Sequence, residues 1–443
     1  MNGLLLVVFV VATFADFLTT LPGVPQLVKY VPEAFSCVVA ICVLLEGMRT
    51  GFSLVAPKYL AVFGLLVLVI VCGILANGDG AGPVLSGTRF YLRGMPLFFL
   101  PAVARFSEKQ VQQQLKLLLF ICLFQVPLAI LQRWLIFSAG RFSGDDVRGT
   151  VGDSGVLSIV LISAVLVLTG LFMQKRIPRI RYLLLCLLLL FPTTINETKA
   201  TVILLPIGLF TTLLVAAPSG KRLKITLYTL IGLVAFGSIL VPIYDYMNKD
   251  SPYKKERNIG DFFTNEKQMV DYMQAKKGVA AVGTTKEVRR GDAIEIPFEY
   301  ISRDPVRFAF GLGLGNVSPS TLGQNFVGEY NGLFRSFLLT SFTIFLLEIG
   351  VLGTALLFLL YWFLGKDALA LARSPHPSLV SSIAVGWVGV VVVMFVCLFY
   401  TLIHTYSALT YLFWYFSGAV AAHRMQLVLT ANRAVIARRR QVV

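Results

Sequence analysis

Three short polar segments carry the residues whose types could do chemistry, and each offers cations or backbone amides to an anion. The first runs Arg141-Phe142-Ser143-Gly144-Asp145-Asp146-Val147-Arg148-Gly149-Thr150-Val151-Gly152-Asp153-Ser154-Gly155. It is glycine-rich and ends where an apolar run begins. Asp153 and Ser154 suit a helix cap, and the amides of a helix start suit an anion. An ordinary surface turn is the plain alternative. The second is Asn196-Glu197-Thr198-Lys199-Ala200, the tip of a tight hairpin between two apolar runs. Lys199 opens the second run, at a depth where charge is costly and usually functional. A lysine reaching back to the interface is the alternative. The third runs from Glu287 through Arg289, Arg290, Asp292, Glu295, Glu299 and Arg303 to Asp304-Pro305. Pro297 is expected to interrupt a helix there, and the Asp304-Pro305 pair to end it. Gly311-Leu312-Gly313-Leu314-Gly315-Asn316 follows. Its spacing is wrong for a dinucleotide fingerprint, and no strand–helix unit surrounds it. It reads as a tight re-entry turn whose backbone approaches something closely.

The elements that must hold these segments are membrane helices. The chain has 443 residues, of which 56% are hydrophobic and 14% charged. Its mean hydropathy is +0.77. Soluble domains carry about 25% charged residues. Apolar runs of about 20 residues recur, the length a bilayer demands of a helix. Long alternating strands are absent, which argues against a β-barrel. The class is therefore an all-α polytopic membrane protein. Twelve spans are expected, at roughly 3–21, 33–49, 57–76, 84–104, 112–137, 153–173, 182–195, 199–217, 225–243, 336–364, 379–402 and 405–424. The run from Leu4 lacks a basic leader and a clear cleavage site, so it reads as a retained first helix. This divides the chain into helices 1–9 (1–243), one large polar loop (244–335), and helices 10–12 with a basic tail (336–443).

That loop, Tyr244 to Arg335, holds 12 of the 23 acidic residues and 13 of the 39 basic ones. It is nearly neutral, so almost all of the net +16 lies in short connectors and the tail. Lys175 to Arg181, Lys221 to Lys224, Arg105 to Lys116, Lys366 to Arg373 and Arg438 to Arg440 all fall on one side of a twelve-span topology. This is the positive-inside pattern, which puts both termini in the cytoplasm and the loop outside. The same distribution speaks against nucleic acid as a partner. Lys254 to Met273 could form amphipathic helices at the membrane interface, or a lid over a pocket. Asp16, Glu46, Arg89, Arg93 and Glu348 are the notable ionisable residues within the spans, with pairing among them open. Cys37, Cys42, Cys72, Cys122, Cys186 and Cys397 all lie in apolar runs without CxxC spacing. They read as small hydrophobes, with no metal site or disulfide framework. The late position of the loop, the lack of an internal repeat and the lack of a Walker A motif weaken a transporter reading.

In this order the motifs resemble the O-antigen ligase and Wzy-type polysaccharide polymerase superfamily. Those are bacterial inner-membrane glycosyltransferases of GT-C-like architecture, with twelve spans and a large periplasmic loop late in the chain. Arg148-Gly-Thr-Val-Gly-Asp153-Ser is similar to the family's R-G-T-F-x-[ND]-x segment. Thr198-Lys199-Ala200 stands where the family has Ser-Arg-Gly. Arg289 and Arg290, then Asp304-Pro305, then Gly311 to Gly315, follow the family's loop order. Leu347-Glu348-Ile-Gly350-Val-Leu-Gly353 resembles its E-x-G-x-x-G. The likeness covers about residues 140–360. Lysine for arginine at 199 keeps the charge and loses the bidentate fork. The ligases carry a His-Asn pair where this chain has Leu339 and Thr340, and the only histidines are His376, His404 and His423. That departure favours a polymerase.

The resemblance implies a polyprenyl-pyrophosphate-linked oligosaccharide as donor and another lipid-linked repeat unit as acceptor. Attack of the acceptor hydroxyl at the anomeric carbon expels polyprenyl pyrophosphate. The sequence offers no metal-ligand cluster and no cofactor motif, so lysine and arginine must meet the developing charge. The residues expected to do so are Lys199, Arg289 and Arg290, with Arg148 and Arg303 behind them on the pyrophosphate. Asp153, Glu197 and Glu295 are the candidate bases for the acceptor hydroxyl. Glu348 is expected to be structural, orienting an arginine. Membrane lipids, a chain-length regulator and a flippase are the implied partners. The competing readings are an O-antigen ligase or protein O-oligosaccharyltransferase of the same superfamily, a glycolipid or solute transporter without chemistry, and a membrane scaffold whose loop binds partners.

Overall fold

The computed structural model describes residues 1–138, 144–196, 198–218, 220, 222–247, 291–320, 322–335, 337, 339–375 and 378–442. The helices are α1 (Asn2–Leu18), α2 (Val31–Thr50, preceded by a 3-10 turn Gln26–Tyr30), α3 (Pro57–Asn77), α4 (Ala81–Leu92), α5 (Met95–Ala104), α6 (Glu108–Ser138), α7 (Ser154–Met173), α8 (Arg179–Ile195), α9 (Thr201–Ala216) and α10 (Arg222–Met247). After the loop come α11 (Asp292–Ser302), α12 (Pro305–Phe310), α13 (Asn331–Phe334), α14 (Ser341–Ala372), α15 (Leu379–Cys397) and α16 (Ser407–Val442). No β-sheet forms among the described residues.

Among the described residues, six segments are long and apolar enough to cross a membrane: the 3-10 turn with α2, then α3, α6, α7, α14 and α15. Their surfaces identify the solvent. On α2, Val39, Val43 and Gly47 are buried, while Ile41, Leu44, Leu45 and Met48 on the opposite face are exposed. A helix apolar on both faces has lipid, not water, on its outer side. α7 and α15 are buried nearly all round and form the centre of the bundle. They cross where Gly170 meets the backbone of Gly386 and Ser382, the close approach that small residues permit between membrane helices. α8, α9, α14 and α16 pack around this pair.

Two expected spans are broken, each for a local reason. The fourth divides into α4 and α5 at Arg93-Gly94. Pro96 lies four residues after Leu92, and its ring collides with that carbonyl, so α4 ends at Leu92. The tenth, α14, is kinked at Gly350, which has φ 65° and ψ −170°. The eleventh ends early, at Cys397, and a chain of turns covers the tight connector up to Ser407. In the loop, the expected interruption at Pro297 does not occur. Pro297 lies inside α11, on the buried stripe Ala293, Pro297 and Ile301 that packs on α14, so burial carries the helix past the missing hydrogen bond. Asp304 starts a helix as well as following one. Its carboxylate accepts from the Val306 amide at 2.8 Å and the Arg307 amide at 3.4 Å, capping α12.

Candidate functional site

The Arg148 to Asp153 segment is held from beneath by two glutamines of α6. Gln132 and Gly149 exchange two hydrogen bonds, Gly149 N to Oε1 at 2.8 Å and Nε2 to Gly149 O at 2.9 Å. Gln125 treats Thr150 likewise, accepting from its amide at 2.9 Å and donating to its hydroxyl at 2.9 Å. Asp153 then caps α7 as its residue type suggests, accepting from Val156 N at 2.9 Å. Arg148 stays more than half exposed and pairs with Asp146 at 2.9 Å. A cation presented on a pinned turn, beside a capped helix start, is suited to an anionic ligand.

Asn196, three residues before Lys199, lies beside this segment. The Asn196 side chain is fully buried and donates to the Ser154 carbonyl at 2.9 Å and the Ser158 hydroxyl at 2.8 Å. It therefore fastens Asn196 to the first turn of α7, next to Asp153. Thr198 N bonds back to Asn196 Oδ1 at 3.3 Å, and the chain enters α9 through Lys199. The first two polar segments are thus brought together, although 42 residues separate Ser154 from Asn196.

A third group joins them that the spacing along the chain does not reveal. Arg89 pairs with Glu33 at 2.9 Å, and Arg93 with the same carboxylate at 3.4 Å, all with side chains at most 15% exposed. Arg93 also donates to the Ser407 hydroxyl at 3.1 Å and the His404 carbonyl at 2.8 Å. Asp16 lies within the field of Arg93 and of Lys29, and Gly152 packs against its carboxylate. The Tyr406 side chain lies near Asp153. Glu33, Arg93, Asp16, Tyr406, Asp153 and Arg148 therefore form a cluster of groups within electrostatic reach of their neighbours in this order. Of the ionisable residues read within the spans, Glu46 lies outside this cluster and pairs with Arg49 at 2.8 Å.

The loop after α12 forms a second module. Gly311, Gly313 and Gly315 have φ of 80°, 96° and 78°. Each lies where a Cβ would strike something: Gly311 the backbone of Glu348 and Gly350, Gly313 the Asp79 carboxylate, and Gly315 the Pro83 carbonyl and Gly87 amide. The run is the close-approach turn its composition predicts. It inserts between the α14 kink and the α3–α4 turn, with Leu312 N bonding Leu347 O at 2.6 Å. Among the described residues, Glu348 is partnered by backbone amides rather than by the expected arginine. It accepts from the amides of Val317 at 3.2 Å and Ser318 at 2.7 Å. A buried carboxylate needs donors, and the turning backbone supplies them.

The two modules meet at the connector between α15 and α16. Ser341, at the start of α14, donates to Thr401 O at 3.0 Å and shares a hydrogen bond with His404 Nδ1 at 2.8 Å, while the His404 carbonyl accepts from Arg93. A histidine thus reaches the amino-terminal end of α14 from a different element. Glu295 and Arg303 are exposed on and just after α11, in the second module. Arg289, Arg290 and Glu197 lie outside the described residues, as does Lys254 to Met273. Among the described residues, no group of three or more histidine, cysteine, aspartate or glutamate side chains gathers to hold a metal.

Asp79 is the titratable hinge of the second module. It accepts from Asn316 Nδ2 at 2.6 Å, yet burial pushes its carboxyl up to about 6. A raised pKa means that the folded protein holds this proton more tightly than the unfolded chain. The stabilisation is complete below the ordinary carboxylate value and is lost as pH rises through about 6. Asp79→Asn is therefore expected to match the wild type near pH 4 and to be more stable at pH 7. The gain is on the order of 1 kcal/mol, reduced because the group is only half-buried. Melting curves of both proteins across pH 4–8 check this, and a gap that widens towards low pH would contradict it.

Compared with known proteins, the chain matches no family model, and no curated protein matches it.

Proposed function

We propose that the chain is a glycosyltransferase of the O-antigen ligase and Wzy-type polymerase superfamily, joining polyprenyl-pyrophosphate-linked oligosaccharide repeat units. In this reading twelve spans cross a bacterial inner membrane, both termini are cytoplasmic, and the polar loop and the cluster at Arg148 face the periplasm. The observation that supports it is that Asn196, three residues before Lys199, is fastened to Ser154 and Ser158 at the start of α7, directly after the Arg148–Asp153 turn. These are two of the segments on which the family resemblance rests, and each contributes a cation.

The acceptor oxygen forms a bond to the anomeric carbon as the bond from that carbon to the pyrophosphate oxygen breaks. The electron pair leaves with the pyrophosphate, and the hydroxyl proton passes to a carboxylate or to water. Lys199 and Arg148 offset the negative charge that grows on the leaving group. Arg289 and Arg290 are assigned the same work from the loop, with Arg303 behind them. Asp153 already caps α7, which makes it a positioned carboxylate.

Loss of one such cation is expected to reduce turnover about 100- to 1,000-fold. The test uses purified protein in liposomes with a polyprenyl-pyrophosphate-linked oligosaccharide. Lengthened glycan and released polyprenyl pyrophosphate are measured for the wild type and for Lys199→Ala, Arg148→Ala, Arg289→Ala and Arg290→Ala. Substrate that crosses the bilayer without lengthening would establish a transporter instead. Normal polymer from all four variants would remove the assigned site. Offering lipid A core or protein as acceptor separates ligase and protein transferase from polymerase.

A further inference from the structure

A cavity of about 690 Å³ opens at the opposite end of the bundle, among α6, α7, α8, α15 and α16. Its walls are apolar, including Leu119, Ala164, Leu168, Met394, Phe413 and Phe416. Along α6 it reaches from Glu108 to Cys122, about 21 Å at the helical rise. The mouth carries Lys109, Lys116, Arg176 and Arg181, all exposed, against one carboxylate, Glu108. Glu108 is itself engaged, 3.8 Å from Arg176 and accepting from the Leu379 amide at 3.1 Å.

A dry, elongated slot of this size takes a hydrocarbon chain, and a rim with an excess of three positive charges takes an anionic head. None of Arg148, Asp153, Lys199 or Arg93 lines it. We propose that this cavity binds one anionic phospholipid, its acyl chain between α7 and α16 and its phosphate among Lys109, Lys116, Arg176 and Arg181. Charge complementarity selects this occupant. A zwitterionic lipid gains little from the rim, and a substrate held by its pyrophosphate at the Arg148 cluster has its head at the wrong end. The lipid fills the gap between the central α7–α15 pair and the outer helices α6 and α8, so it is a built-in structural ligand of the bundle. The site stands apart from the glycan-transfer reading and survives its failure.

The experiment uses the full chain in an uncharged detergent, with Trp134, Trp362 and Trp414 replaced by phenylalanine so that Trp387, in the cavity wall, reports alone. Brominated phosphatidylglycerol and brominated phosphatidylcholine with identical chains are titrated as quenchers. Phosphatidylglycerol is expected to quench Trp387 with at least about tenfold tighter apparent affinity than phosphatidylcholine. The variant Lys109→Gln/Lys116→Gln/Arg176→Gln/Arg181→Gln alters only exposed side chains and should bring the two lipids within about twofold. Native mass spectrometry of the unmodified chain checks the same preference without tryptophan changes. Equal quenching by both lipids, or a preference that survives rim neutralisation, overturns the proposal. So does quenching by a brominated polyprenyl phosphate that exceeds phosphatidylglycerol and ignores the rim, because that would make the cavity a substrate-tail site.

Discussion

Glu33→Gln is expected to destabilise the protein by about 3–5 kcal/mol, the cost of leaving buried charge without its partner. Glu33 pairs with both Arg89 and Arg93, and the Arg93 side chain is only 4% exposed. A glutamine keeps the shape and a hydrogen-bond acceptor but removes the countercharge from two guanidinium groups. In detergent this should appear as a melting temperature lower by roughly 3–5 °C. The control is Glu46→Gln, whose partner Arg49 is 78% exposed and which should change stability by less than about 1 kcal/mol. Adding Arg89→Gln to Glu33→Gln should restore part of the loss, because the excess positive charge falls. A Glu33→Gln protein that melts within about 2 °C of the wild type would mean the pairs hold nothing together. The effect should also reach the Arg148 turn, since Arg93 grips Ser407 and the His404 carbonyl, next to Tyr406, whose side chain lies near Asp153.

That network explains what the sequence could and could not convey. Apolar runs mark helices because length and hydropathy are local properties, and α3, α7 and α15 begin within a residue or so of where the runs do. The glycine run is legible because only a missing Cβ justifies three glycines at alternate positions beside leucines. Asp153 as a cap is legible because capping joins residues three apart. The break at Arg93-Gly94 is hidden by averaging, since the apolar residues on both sides outweigh one arginine in any hydropathy window. Its partners are hidden by distance along the chain, with Glu33 lying 60 residues before Arg93 and Ser407 lying 314 after it. Pro297 misleads because proline is judged by its backbone cost, whereas the stripe it shares with Ala293 and Ile301 depends on α14, which comes later. Glu348 misleads in the opposite sense. A carboxylate in an apolar run suggests a cationic partner, and the donors here are main-chain amides that no residue type announces.

Gly315→Ala tests whether the loop module must dock on α3–α4 for the protein to work. At φ 78° an alanine costs about 1–2 kcal/mol in backbone conformation alone. Its Cβ would also collide with the Pro83 carbonyl and the Gly87 amide, backbone atoms that cannot rotate away. Overpacking of this kind adds about 1–3 kcal/mol, so the total expected is roughly 2–5 kcal/mol. The loop has an easier escape than unfolding: it can lift from the α3–α4 turn and break the 2.6 Å bond between Asn316 and Asp79. The loss should therefore fall more on activity than on melting temperature. Lifting the loop displaces α11, α12 and Arg303, and with them the chain that leads in from Arg289 and Arg290. Gly332→Ala is the matched control, since nothing lies within 4 Å of the Cβ it would add and its φ is ordinary. It should be neutral or slightly stabilising. Limited proteolysis across residues 311–328, run beside the liposome assay, separates the outcomes. Faster cleavage with lost turnover fits a docked, functional loop, whereas faster cleavage with full turnover would show that docking serves stability alone.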